Sequence, residues 1–309
     1  MTKVRAWQTL LGMLVVWLLA APPAQAQAVG GSQLSGVVRD ASGAAVPGAT
    51  VTVTKTDTGQ ARTVQSAMDG SYAFPNLPVG PYELTATLTG FNTYVQSGIV
   101  LQVSTNPVIN VTLTVGTLGE TVTVVGNASM VETQSTGLGQ VIDHQRVTEL
   151  PLNGRQVTEL IFLSGLAASA PPADLNTNKN FPTTTISVAG GQANGISFIM
   201  DGATHNDPFN NLNLPTPFPD AIQEFKVETS ALPARYGHHA ASTVNVVTQS
   251  GSNKVTADVF EFLRNYRFNA RNFFAPARDS LNRNQFGGTL GAPIVKDRLF
   301  FFGGYQGRI

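Results

Sequence analysis

Thr50-Val51-Thr52-Val53-Thr54 alternates polar and apolar side chains without a break, and that pattern limits what the chain can fold into. A strand sends successive side chains to opposite faces, so the run makes one face to bury and one to leave wet. The same period of two returns at Tyr82, Leu84, Ala86 and Leu88, and at Ile109, Val111, Leu113 and Val115. Strands are predicted at 34–39, 50–54, 61–66, 71–74, 82–88, 99–103 and 109–115, with no helical period among them. Asp40-Ala41-Ser42-Gly43, Pro47-Gly48, Asp69-Gly70 and Gly90 separate them, Gly supplying backbone angles that other residues avoid. Short strands at regular spacing with such turns predict a β-sandwich over residues 32–115.

The chain start predicts export. Lys3 and Arg5 precede an apolar run at 10–21, and Ala24-Gln25-Ala26 puts small residues at cleavage spacing. The run is shorter than the ~20 residues of a membrane helix, so residues 1–26 are predicted to be a secretory signal peptide. Ala24 and Ala26 would mark its cleavage site and Gln27 the mature N-terminus. No later stretch is long and apolar enough for a membrane helix, so a membrane role would fall to strands. The chain has no cysteine, and a chain of several modules can hold a core without disulfides. Nineteen basic residues balance nineteen acidic ones, leaving no basic excess for nucleic acid.

Four stretches of the sandwich carry a resemblance: Gly36-Val37-Val38-Arg39-Asp40, Val46-Pro47-Gly48-Ala49-Thr50-Val51, Asp69-Gly70-Ser71-Tyr72 and Leu77-Pro78-Val79-Gly80-Pro81-Tyr82. They resemble the carboxypeptidase regulatory-like domain. The resemblance implies a transthyretin-like, Ig-like sandwich, grouped with carbohydrate-binding-like folds and without hydrolytic activity. Tyr72, Phe74 and Tyr82 are expected in its core rather than on a sugar-binding face.

Residues 116–126 read as a connector containing Glu120-Thr121-Val122-Thr123-Val124-Val125. This run resembles the TonB box, the segment that in TonB-dependent receptors pairs as an added strand with a TonB-type inner-membrane protein. Backbone hydrogen bonds supply much of the affinity in strand addition, so a loose β-prone sequence suffices. The alternative is that the run is the first strand of the next domain.

Residues 127–250 change character. Helical spacing is predicted at 141–150 and 156–163, a polar loop at 167–182, and strands at 185–189, 196–200, 224–228 and 243–248. Leu150-Pro151-Leu152-Asn153-Gly154-Arg155, Ser187-Val188-Ala189-Gly190-Gly191-Gln192, Phe198-Ile199-Met200-Asp201-Gly202, Ile222-Gln223-Glu224-Phe225-Lys226-Val227, and Ala234-Arg235-Tyr236-Gly237 running to Asn245-Val246-Val247-Thr248-Gln249-Ser250-Gly251 resemble, in this order, the plug domain of TonB-dependent receptors.

From residue 251 onward the chain reads as the start of a membrane barrel. Residues 254–263 have the ~9–11 residues of a tilted membrane strand, and 286–294 and 299–306 flank a turn at 295–298. Phe300, Phe301, Phe302 and Tyr305 suit a membrane interface. The run 284–302 resembles the Oar-like branch of these receptors. A barrel with a plugged lumen takes roughly 22 strands. Open sheet edges in lipid leave unpaired backbone groups at several kcal/mol each, so the chain is expected to be a piece of a longer protein. The fold class expected is mainly β: a sandwich, an α+β plug, then the first strands of an incomplete barrel.

No residues group as an enzyme site. His144 and His205 stand apart, and His238-His239 would point to opposite faces of a strand. Asp201, Asp207 and Asp220 sit beside Gly or Pro and read as turn residues, not as a paired acid and base. Neither metal nor cofactor is expected. The receptor resemblance implies active uptake, with a TonB-type inner-membrane protein, outer-membrane lipid and a ligand of oligosaccharide or peptide kind as partners. Loops 167–182 and 206–219 are the candidate ligand contacts. The rival class is a secreted adhesion or carbohydrate-binding protein built on the sandwich, which explains residues 27–115 but not the plug-like segments or residues 254–308.

Overall fold

The computed structural model describes residues 31–116, 121–125, 137–170, 185–232, 236, 241–271 and 273–309. Eight strands build the N-terminal sandwich: β1 Ser32–Asp40, β2 Thr50–Lys55, β3 Ala61–Gln65, β4 Ser71–Leu77, β5 Gly80–Thr87, β6 Thr93–Leu101, β7 Val111–Leu113 and β8 Thr121–Val125. One sheet has the order β4-β1-β7 and the other β3-β2-β5-β6-β8. Leu34, Val38, Val51, Val53, Phe74, Leu84, Leu101 and Val111 are buried together between them. The alternation at 50–54 acts as expected, with Val51 and Val53 inside and the threonines on the outer face. Tyr72 and Tyr82 are core residues whose hydroxyls donate to Ile109 O at 2.5 Å and Pro78 O at 2.9 Å. Gly36 is required by packing: a Cβ there would lie 1.7 Å from the carbonyl oxygen of Ile109.

Two sandwich strands differ from the sequence expectation. Strand β6 starts at Thr93 rather than at 99, because Tyr94 and Gln96 continue the buried row and bond to each other at 2.9 Å. Strand β7 is confined to Val111–Leu113, flanked by isolated bridges at Val108 and Val115.

The second domain holds β9 Leu138–Asp143, a helix His144–Glu149, β10 Ala167–Ser169, β11 Ile186–Val188, β12 Ile196–Met200, β13 Ala203–Thr204, β14 Ile222–Ser230 and β15 Ser242–Thr248. Its main sheet has the order β13-β12-β15-β14-β9, with β12 and β15 parallel. Ile142, Leu160, Ile161, Phe198, Phe225 and Val244 form a core separate from that of the sandwich.

The helix predicted over 141–150 is corrected. Residues 141–143 belong to β9, which pairs antiparallel with β14, and the helix begins only after Asp143. Asp143 caps it by accepting from the Arg146 N–H at 2.9 Å. A long-range ladder there overrides local helical spacing. The stretch 156–163 is a 3-10 helix, Val157–Ser164, ended by Gly165 at φ 72. The loop predicted at 167–182 opens with β10, which pairs with β11; residues 171–182 lie outside the described residues.

The third unit is the sheet β16 Thr256–Asn265, β17 Asn282–Val295 and β18 Leu299–Arg308, antiparallel in that order. Its register sorts the side chains. Val259, Leu263, Phe286, Leu290, Phe301 and Tyr305 share one exposed face, and Val259 is 92% exposed. Glu261, paired with Phe286, is the acidic member of that face. Phe260, Phe262, Gln285, Thr289 and Gln306 line the other face, toward the second domain. Gly304 leaves room for Phe218 of that domain, since a Cβ there would lie 2.7 Å from its ring. The turn between β17 and β18 is short and sits against the sandwich: Asn253 donates its backbone N–H to Asp57 O at 2.9 Å, and its side chain bonds Asp297 at 2.7 Å. The connection between β16 and β17 spans residues 266–281, at the other end of the sheet.

Candidate functional site

The TonB-box-like run is a strand of the sandwich. Thr121–Val125 pairs parallel with β6 in an unbroken register, Thr93 with Thr121 through Ser97 with Val125. It is therefore neither a strand of the second domain's sheet nor unpaired. Val122 and Val124 fall on the row of buried Tyr94 and Gln96, yet are 41% and 37% exposed. Glu120 lies outside the described residues, as do Ala24 and Ala26 of the predicted cleavage site.

The sandwich meets the second domain through a polar junction. Strand β14 turns Phe225 and Val227 into its own core and Glu224, Lys226 and Glu228 the other way, all buried. Glu224 Oε2 accepts the Val103 N–H at 2.7 Å, and Lys226 Nζ donates to Ser104 O at 3.0 Å while pairing with Glu228 at 2.9 Å. The Ser104 hydroxyl shares a 2.5 Å hydrogen bond with Tyr236, and Asn245 Nδ2 donates to the Tyr236 hydroxyl at 3.2 Å. Burial pushes the Glu224 carboxyl up to about 7 against the pull of the Val103 hydrogen bond.

A second junction ties that domain to the three-stranded sheet. Arg155 forms a part-buried ion pair with Asp220, and its guanidinium lies 4.4 Å and 4.2 Å from the ring centres of Phe260 and Phe262. Gln285 Nε2 donates to Gly154 O at 3.1 Å, and Arg264 to Asn153 Oδ1 at 2.9 Å. Residues 153–155, quoted above only as part of a resemblance, are thus a clamp. Asp220, read from sequence as a turn residue, sits in the single-turn 3-10 helix Pro219–Ala221 and is in addition the part-buried partner of Arg155. The available sequence cue was Phe260 and Phe262, two residues apart and so on one face of a strand facing a cation.

Asp201 and Asp207 do serve turns. Asp201, at φ 49, accepts from the Thr248 N–H and hydroxyl, both at 2.8 Å, and Asp207 accepts from the Phe209 N–H at 2.8 Å. His144 Nδ1 contacts Ile222 O at 2.6 Å and His205 Nε2 contacts Pro215 O at 2.9 Å. His238 and His239 lie outside the described residues. Among the described residues no three His, Cys, Asp or Glu gather as a metal site. Asn206 braces the base of loop 206–219, accepting from the Phe198 N–H at 2.8 Å and donating to Ile196 O at 2.9 Å. A cleft of about 330 Å³ opens between that loop and the sheet, reaching Arg155, Phe218, Gln285 and Arg308.

Comparison with known proteins agrees with these parts in order. Residues 33–114 match the carboxypeptidase regulatory-like domain, and residues 247–309 match an outer membrane beta barrel domain. The TonB-dependent transporter Oar of Myxococcus xanthus is 30% identical over 287 residues, which cover 89% of this chain and 26% of that protein. This chain therefore spans about a quarter of the length of the relative it matches. The siderophore receptor PirA of Acinetobacter baumannii aligns over 59% of this chain and 26% of its own, with 18% identity and a TM-score of 0.40. A ferric enterobactin receptor of Pseudomonas aeruginosa aligns over 53% of this chain and 23% of its own, with 13% identity and a TM-score of 0.37. A regulatory-like sandwich followed by a plug domain and outer-membrane barrel strands, in a chain related to Oar along most of its length, belongs to the TonB-dependent receptor family.

Proposed function

We propose that this protein takes part in active uptake across the outer membrane, with Glu120 to Val125 as the handle for a TonB-type inner-membrane protein. The observation that carries the reading is the two-faced sheet β16–β18. Its apolar outer face suits lipid, and its inner face is clamped onto the plug. Outer-membrane barrels have short turns on the periplasmic side and longer loops outside. The short turn at 295–298 lies beside the sandwich, which supports a reading with the sandwich on the periplasmic side and the connection 266–281 on the outer side. Ligand of oligosaccharide or peptide kind would approach from the outer side, and loop 206–219 is the part of the plug assigned to meet it.

Fractionation of cells making the whole receptor is expected to recover it with the outer membrane. Recovery as a soluble periplasmic protein would defeat the uptake reading. Val122→Pro removes one backbone donor from a strand-forming run, and is expected to weaken association with the TonB-type protein by roughly tenfold or more. Unchanged association would take the handle assignment away from β8 while leaving the domain assignments in place.

A further inference from the structure

Positive charge gathers where the three-stranded sheet meets its long connection. The chain as a whole is neutral, yet residues 264–283 hold Arg264, Arg267, Arg271, Arg278 and Arg283 against the one carboxylate of Asp279. Strand β18 brings Arg308 to the same end of the sheet. The register shows which of these arginines face inward. Arg264 stands directly opposite Arg283, and Arg308 opposite Gln285. All three therefore fall on the face that carries Phe260 and Phe262 toward the plug. A charge on the other, lipid-suited face would be costly, so the lumen side is where they can be kept.

Like charges directly opposite on neighbouring strands destabilise a sheet, and their Cβ atoms stand only ~5 Å apart, with diagonal neighbours at ~7–8 Å. Arg264 and Arg283 are such a pair, and Arg283 and Arg308 such a diagonal. The charges of Arg264 and Arg308 both reach that of Arg283. Ion pairs among the described residues join Lys55 to Asp57, Arg146 to Asp143, Arg155 to Asp220 and Lys226 to Glu228, and none includes these three arginines. Asp258 shares their face but lies near the opposite end of β16, about 20 Å along the strand. Asp279 accepts from the Leu281 N–H at 3.3 Å. The plug offers neutral groups only: Arg264 donates to Asn153 Oδ1 at 2.9 Å, and a Cβ on Gly154 would lie 2.8 Å from Arg283 Nη1. There is also room. A cleft of about 680 Å³ reaches Arg264 and Arg283, and it shares Gly154, Arg155 and Gln285 with the 330 Å³ cleft that reaches Arg308.

We propose that Arg264, Arg283 and Arg308 bind an anionic group of the ligand, a carboxylate or a phosphate, in the seam between the barrel wall and the plug. The proposal rests on the uptake reading above and narrows its ligand to one that carries negative charge. A guanidinium presents a planar fork of donors that matches either anion through two parallel hydrogen bonds. An anion held there offsets the repulsion between Arg264 and Arg283, which nothing else on that face offsets among the described residues. Arg267, Arg271 and Arg278 continue the positive field along the connection 266–281, and such a field draws a charged ligand toward the cleft.

The test is calorimetric titration of the whole receptor in detergent at low salt with citrate, with pyrophosphate and with the neutral sugar maltotriose. At least one of the two anions is expected to bind, and which one does separates carboxylate from phosphate as the preferred group. Its affinity is expected to fall roughly tenfold or more in Arg283→Gln and in Arg308→Gln, and to fall as salt is added. Arg283→Lys keeps the charge and is expected to stay within about threefold of the unsubstituted receptor. Arg308 is exposed, so Arg308→Gln reads the site without disturbing a packed side chain. The bound anion is also expected to raise the thermal midpoint of the unsubstituted receptor and not that of the two glutamine variants. Equal affinity in both glutamine variants overturns the proposal, as does the absence of binding of either anion, or maltotriose binding as tightly as they do. Failure of the uptake reading looks different: the receptor would leave the outer-membrane fraction, whatever the titrations give.

Discussion

Arg155→Met is expected to loosen the plug from the barrel strands by about 1–3 kcal/mol, because it leaves a part-buried carboxylate without its partner. The side chains of Arg155 and Asp220 are only 8% and 14% exposed, so the carboxylate left behind recovers only part of its hydration. The lost stacking on Phe260 and Phe262 adds about 0.5–2 kcal/mol for each ring. The measurement is the urea midpoint for plug unfolding in the detergent-solubilised receptor, followed by hydrogen exchange at residues 150–160. Adding Asp220→Asn to Arg155→Met is expected to return part of the loss, because the stranded charge is gone. If the two single changes and the double change prove strictly additive, the pair is not coupled and the clamp argument fails.

Stability of the sandwich–plug junction should fall as pH rises, through the single group Glu224. Its carboxyl holds a proton up to about 7 in the folded junction against 4.5 ordinarily, so the folded state binds more protons than the unfolded chain between those values. Stability from this group is therefore greatest below about 4.5 and is lost as pH climbs through 7, where the charged form is buried. A displacement of that size is worth on the order of 3 kcal/mol. Glu224→Gln keeps an oxygen to accept from the Val103 N–H and carries no charge. It is expected to raise junction stability at pH 8 by most of that amount and to flatten the profile between pH 5 and 8. Equal junction stability of the unsubstituted protein at pH 5 and pH 8 would show that Glu224 titrates normally.

Much of the fold is legible where side-chain period and turn chemistry agree. Residues 50–54 announce their inner and outer faces, and 254–263, 286–294 and 299–306 mark barrel strands that differ from the folded ones mainly at their ends. Val141 to Asp143 are the counterexample. Apolar spacing there suits a helix, but pairing with β14 supplies a ladder that local spacing does not encode. Glu224, Lys226 and Glu228 alternate with Phe225 and Val227, which reads as a strand with one wet face; the sandwich covers that face instead.

The amino-acid order alone determined most of the strands and their two faces, because those depend on neighbours within a few residues. Tertiary structure decided which edge Thr121–Val125 joins, which carboxylate Arg155 meets and what pushes the Glu224 carboxyl up. Backbone pairing is nearly indifferent to side-chain identity, so Thr-Val-Thr-Val-Val carries no address for β6. Burial of a charge is likewise a property of the surfaces brought around it, and those come from parts of the chain up to 121 residues away.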